Sequence, residues 1–232
     1  MAKHSKKYRE SLKQAPKAPV ALDEAVNFIK AHPGAKFDET VEVAMRLGAD
    51  PTKSDQTVRG TVSLPNGTGK SVRVIVFAAG EAADAAKAAG AEEAGYDDLI
   101  EKVKSGWTEF DVAISTTDAM KEVRKLGRVL GPRGLMPNPK TGTVTDDVGP
   151  AVIAAKGGRV EFRMDRTGNV SVVAGKLSFE ADKLAENIKS ILTAVNAERP
   201  ASAKGVFIRS VTISSTMGVG VPVAYSFGSD AE

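Results

Sequence analysis

The hydrophobic period of this 232-residue chain changes twice, and that limits its architecture more than any other feature. Val41, Val43, Met45 and Leu47 alternate with Thr40, Glu42, Ala44 and Arg46, the pattern of a strand buried on one face. Val58, Gly60, Val62 and Leu64 repeat it, until Pro65-Asn66-Gly67 breaks the run. From residue 72 to 79 every position except Arg73 is apolar, as in a strand covered on both faces. Two helical stretches follow, 81–89 and 96–105, then a short strand at 111–115. Next comes a helix capped near Thr117 or Asp118 that turns Met120, Val123 and Leu126 inward. At Val160 the alternation returns through Phe162 and Met164. Asp165-Arg166-Thr167-Gly168 forms a turn, and Val170 and Val172 open a returning strand.

Two helices belong with the alternating strands. One carries Leu22, Ala25, Val26 and Ile29 and stops at Pro33-Gly34; the other carries Leu184, Ile188, Ile191, Leu192 and Val195. A last strand places Val211 and Ile213 on one face. The segmentation predicts an α/β and α+β chain of two domains. An α+β domain is built from both chain ends, residues 1–66 plus 160–232, and a Rossmann-like α/β domain, 67–159, is inserted between them. The crossings fall near 65–70 and at Gly157-Gly158, both rich in glycine.

Composition removes several classes of chemistry. The chain has no cysteine and only two histidines, His4 and His32. Thiolate zinc sites, disulfides, cysteine nucleophiles and most histidine-based catalysis are excluded together. The basic N-terminus has no apolar run behind it, so it does not read as a secretory signal, and no stretch is apolar enough to span a membrane. Absent cysteine fits a cytoplasmic location. The net charge of +3 conceals strong segregation. Residues 1–20 hold six cations against one acid, residues 119–140 the same, and residues 81–118 hold ten acids against three lysines. Basic patches of this kind suit a polyanion, although a solvated tail and loop would look alike.

Gly67-Thr68-Gly69-Lys70-Ser71 imitates the end of a phosphate-binding loop. Leu64 stands where the motif needs its first glycine, and a strand rather than a helix follows Ser71. Ala78-Ala79-Gly80 likewise lacks the dinucleotide fingerprint. A nucleotide-dependent enzyme built on the α/β block is therefore the weaker alternative. The most distinctive stretch is LGRVLGPRGLMPNPKTGTV at 126–144. Its glycines and prolines argue against regular structure. Leu130, Leu135 and Met136 pin it to a core, while Arg128, Arg133 and Lys140 project charge, which describes a binding loop better than a linker.

That stretch resembles the signature of the L-one family of bacterial large-subunit ribosomal proteins. The resemblance covers nearly the whole chain. It includes AKFDETVEVAMRLGADPTKSDQTVRGTVSLPNGTGK (35–70), FDVAISTTDAM (110–120), GRVEFRMDRTGNV (158–170), GKLSF (175–179) and IRSVTISSTMG (208–218). It implies the same discontinuous first domain and inserted second domain, without catalysis, cofactor or metal. It further implies a monomer when free, residence on cytoplasmic ribosomes, and binding to the 23S rRNA of the mobile stalk of the large ribosomal subunit. Contact with exit-site tRNA and repression through the chain's own operon mRNA belong to the same implication.

Carried onto this sequence, the family's RNA surface falls on Phe37, Thr40, Ser210, Thr216, Met217 and Gly218. By their own chemistry Lys36, Arg166 and Lys176 are candidate phosphate contacts, Gly168 is a further candidate on the same surface, and Arg128, Arg133 and Lys140 are candidates for a secondary RNA contact. Hydroxyls suit 2′-OH groups and phosphates. A glycine at 218 would let RNA approach the backbone closely. The competing readings are a core role for Phe37, a plain turn for Gly218 and simple solvation for the three cations.

Overall fold

The computed structural model describes residues 4–225, apart from the side chains of Ser54 and Lys140. Lys3 of the basic tail and residues 226–232 lie outside the described residues. The elements run α1 (Lys6–Gln14), α2 (Leu22–Ala31), β1 (Thr40–Leu47), β2 (Arg59–Ser63), β3 (Val74–Phe77), α3 (Glu81–Ala88), β4 (Glu93–Gly95), α4 (Asp97–Lys104), β5 (Val112–Ser115), α5 (Met120–Val123), α6 (Gly127–Leu130), α7 (Val148–Lys156), β6 (Arg159–Arg163), β7 (Asn169–Lys176), α8 (Ala181–Ala197), β8 (Ile208–Ser215) and β9 (Val221–Val223). The chain is a mixed α/β protein that divides into two compact units, Met1–Gly69 with Val160–Glu232, and Lys70–Arg159.

In the first unit β1 is the hub of a four-stranded sheet ordered β7-β1-β8-β9, and it pairs antiparallel with both β7 and β8. Its alternation works as the sequence requires. Val41, Val43, Met45 and Leu47 are at most 3% exposed and meet Ala25, Val26 and Ile29 of α2 and Leu184, Ile188, Ile191 and Leu192 of α8. β2 and β6 form a separate two-stranded sheet. The strand after the Asp165–Gly168 turn therefore does not return along β6. Met164 still donates to Val58 beside β2, whereas beyond the turn Val170 pairs with Met45 of β1. The turn itself forms as expected. The Asp165 carboxylate accepts from the N–H groups of Thr167 and Asn169, both at 2.8 Å.

In the second unit β3 is the middle of a parallel sheet ordered β4-β3-β5. Its continuous apolar run has two destinations. Ile75 and Phe77 pack with Leu99, Val103 and Phe110, while Val74 and Val76 pack with Ala83, Ala86, Val148 and Val152 on the other face. Helical structure after β5 starts at Met120, where the Thr116 hydroxyl rather than Thr117 or Asp118 accepts from the Ala119 N–H (3.4 Å). It also runs further than composition suggests. Gly127–Leu130 is helical, and Gly131 still donates to Gly127 at 2.9 Å with φ −59°. Two glycines in this stretch thus adopt ordinary helical dihedrals instead of breaking the helix.

Candidate nucleic-acid interface

One end of the first unit's sheet gathers most of the residues singled out above. Thr40 opens β1, and the register sets it opposite Lys176, the last residue of β7. Strict alternation would have pointed Lys176 inward, in step with the buried Val170, Val172 and Ala174. A bulge breaks that parity: Val41 pairs with Gly175 and Glu42 with Val173, leaving Ala174 without an opposite residue. Lys176 emerges beside Thr40 and donates to its hydroxyl at 3.0 Å. The Thr40 hydroxyl proton remains free to be given outward to a phosphate or 2′-OH.

Thr216 extends the other side of β1. Its N–H donates to the Thr40 carbonyl (3.0 Å), and its hydroxyl accepts from the Thr40 N–H (3.1 Å). That hydroxyl keeps one further lone pair for an outside donor. Phe37 and Met217 are both 58% exposed, so Phe37 is not a core side chain. Two large apolar groups held in water beside hydroxyls and an ammonium offer stacking surface to unpaired bases. Lys36 is exposed next to Phe37. Gly218 is present for a reason internal to the turn. A Cβ there would lie 2.2 Å from the Ser215 hydroxyl, so a larger residue would force that hydroxyl to rotate away.

Sequence reasoning missed the residue that joins these loops. Glu39 is 0% exposed. Its carboxylate accepts from the Ala35 N–H on one loop and from the Met217 N–H, at 3.1 Å, on the other. Burial alone would raise its pKa. The Ser215 hydroxyl beside it and the backbone N–H groups of Ala35, Met217 and Gly34 outweigh that and hold the pKa below the ordinary value. Glu39 therefore stays ionised and ties the loop bearing Phe37 to the turn bearing Met217. A signal was present in the sequence: extending the inward positions 47, 45, 43 and 41 by one step reaches 39.

The remaining candidates lie elsewhere. Ser210 pairs with Arg46, and Asn169, just after Gly168, pairs with Arg46 from the other side. Six residues along β1 separate Arg46 from Thr40, roughly 20 Å at strand rise. Ser210 and Arg166 are exposed at that far end, and Gly168 (φ +83°) is a buried turn residue whose carbonyl accepts from Leu47 at 2.9 Å. In the second unit Arg128 is exposed and Arg133 donates to the Thr108 hydroxyl. Leu130 anchors that loop at 0% exposure, and the side chain of Lys140 lies outside the described residues.

The model of the ribosomal protein L1p/L10e family matches residues 29–219. The chain belongs to this family. It is 52% identical over 224 residues to the large ribosomal subunit protein uL1 of Protochlamydia amoebophila, covering 96% of this chain and 95% of the relative. It is 53% identical to the protein of the same name from Corynebacterium glutamicum over the same shares. Against that of Kosmotoga olearia it is 52% identical, over 95% of this chain and 96% of the relative. These relatives are ribosomal proteins, not enzymes. The matched span of this L1p/L10e member contains both loops joined by Glu39, but it begins after α1 and ends before β9. Among the described residues no cluster of histidines and carboxylates could hold a metal, and no helix is long and apolar enough to cross a membrane.

Proposed function

We propose that the chain is a structural protein of the large ribosomal subunit whose first unit binds a folded segment of 23S rRNA at the mobile stalk. It works in the cytoplasm on ribosomes and is a monomer when free. The same surface binds the operon mRNA to repress translation, and the basic loop of the second unit meets exit-site tRNA. The observation that carries the RNA reading is the pair Phe37 and Met217, exposed on loops that one buried carboxylate fixes around the Thr40–Lys176–Thr216 cluster. Such a surface combines stacking groups, hydroxyls and a cation on rigid supports, the set that reads folded RNA.

The test is binding of the isolated stalk segment of 23S rRNA by two variants of the full chain. Phe37→Ala removes a stacking surface, a loss of about 1–3 kcal/mol where a base rests on it. Thr216→Val removes a hydroxyl whose partner in RNA would be left unpaired, at a similar cost. Both should weaken binding roughly tenfold or more. Melting temperatures should fall by only a few degrees: Phe37 is exposed, and the bond that Thr216→Val removes from the Thr40 N–H lies at the surface, where water can replace it. Full affinity in both variants would refute the assignment.

A further inference from the structure

Helix α1 lies outside the span matched by the family model, yet it borders the turn that carries Met217. Tyr8 and Ser11 face Met217, Gly218 and Val219 across a gap of about 10 Å³, no more than one water needs. Ser11 is 8% exposed. Near the other end of the helix, the His32 ring bonds Gln14 at 2.7 Å while its second nitrogen bonds the Phe28 carbonyl at 2.9 Å. Helix α1 thus bonds through Gln14 to His32 at the end of α2, and Tyr8 and Ser11 line the same gap as the turn that carries Met217.

The outward side of α1 is cationic. Lys6, Arg9 and Lys13 recur at i, i+3 and i+7, one stripe on a helix surface spanning about 10 Å. All three are exposed, and none forms an ion pair among the described residues. The placement of Lys6 opposes helix stability, whereas Lys13 sits in the last turn, where the dipole favours a cation. The first turn holds no acid and two lysines, Lys6 and Lys7, where the helix dipole favours anions. An external anion at that end would relieve the conflict.

We propose that α1 is a second arm of the RNA interface, whose Lys6–Arg9–Lys13 stripe takes the phosphate backbone of the same folded RNA that Phe37, Thr40 and Met217 read. This rests on the RNA reading of the Glu39-joined loops. That cluster supplies hydroxyls, apolar surface and few charges, and the helix supplies the charge it lacks.

The experiment compares the full chain with its Lys6→Gln, Arg9→Gln, Lys13→Gln triple variant, binding the stalk segment of 23S rRNA across a salt series. A matched control neutralises Lys87, Lys104 and Lys189, which are exposed on other helices. Each phosphate neutralised contributes about 0.7–0.9 to the slope of log affinity against log salt. The triple variant should lose about 2 from that slope and roughly tenfold in affinity near 0.1 M salt. The control should change neither, and the melting temperature should hold. A triple variant that keeps the slope and affinity of the unaltered chain, while Phe37→Ala and Thr216→Val weaken binding, overturns the role of α1 alone. If those two variants also bind normally, the RNA reading falls with it. Equal losses in the triple variant and the control would show a net-charge effect and overturn the proposal.

Discussion

Glu39→Gln changes one atom type in a fully buried group and separates charge from shape. In the native chain the carboxylate accepts from the Ala35 and Met217 N–H groups and lies beside the Ser215 hydroxyl. An amide keeps one oxygen and turns an NH2 group toward a backbone donor. At least one N–H is left unpaired in a site closed to water, which costs about 1–3 kcal/mol, and the surviving bond loses its charge assistance. The expected loss is about 3 kcal/mol, lowering the transition of the first unit by roughly 10 °C. Affinity for the stalk RNA should fall as well, since the loops bearing Phe37 and Met217 lose their common tie. The pH dependence adds a second readout. The folded pKa lies below the ordinary 4.5, so the stabilisation is present above about pH 4.5 and is lost as pH falls through the lowered value. Melting curves of the two proteins should differ most near neutral pH and converge in acid. Equal stability at pH 7, or a difference unchanged by acid, would refute the account of Glu39.

Asp111, held at a pKa of about 2 chiefly by Lys70 at 2.6 Å and further by Arg73, should stabilise the second unit above about pH 4 and lose that contribution between pH 4 and 2. Asp111→Asn should cost about 1 kcal/mol at pH 7, reduced by the exposure of Lys70, and progressively less as pH falls through 2; acid titration of both melting curves checks it. Asn187, 0% exposed, donates to the Gly67 and Ala174 carbonyls and accepts from the Asn66 N–H, so Asn187→Ala should cost about 2–4 kcal/mol in urea unfolding with unchanged slope. Residues 1–69 joined by a short glycine linker to 160–232 should fold alone and bind stalk RNA within roughly tenfold of the full chain. Residues 70–159 alone should bind it weakly; specific affinity in that block instead would reverse the assignment.

The sequence was most legible where burial is one-sided or complete. β1, α8 and β3 follow their periodicity because a single covered face, or two, dictates each residue. It was least legible where short-range chemistry competes. β9 is three residues long with a proline at its centre, and α1 has too little apolar surface to announce a buried side. The strand after Asp165-Arg166-Thr167-Gly168 read as one arm of a hairpin, because a turn signal records only the reversal of the chain and not the partner beyond it. Lys176 could not be placed from alternation at all, since a bulge changes parity without a mark beyond Gly175. Glu39 and Asn187 illustrate a recoverable kind of miss. Each is a polar residue at a position its own element's period assigns to the core, and each satisfies buried backbone groups that apolar side chains could not.

The charge of Glu39 also bears on how the proposed surface would recognise RNA. Backbone N–H groups in adjacent loops commonly bind phosphate, and those of Ala35 and Met217 are suitably close together. Here they are already committed to a carboxylate inside the protein. The site therefore cannot work as a backbone cradle for an anion, and a fixed negative charge beneath it disfavours a phosphate lodged at its centre. What remains turned outward is different in kind: the Thr40 hydroxyl proton, a lone pair on Thr216, and the exposed faces of Phe37 and Met217. These match ribose hydroxyls and base surfaces, which distinguish one folded RNA from another, rather than phosphates, which every RNA shares. Phosphate attraction would then be left mainly to cations at the rim, Lys36 beside the loops and the stripe on α1. Specificity and charge neutralisation would thus reside on separate elements, and mutations in the two should act differently. Changes at the centre should alter affinity for the stalk RNA with little effect on salt dependence, and changes at the rim should lower the salt slope on every RNA tested.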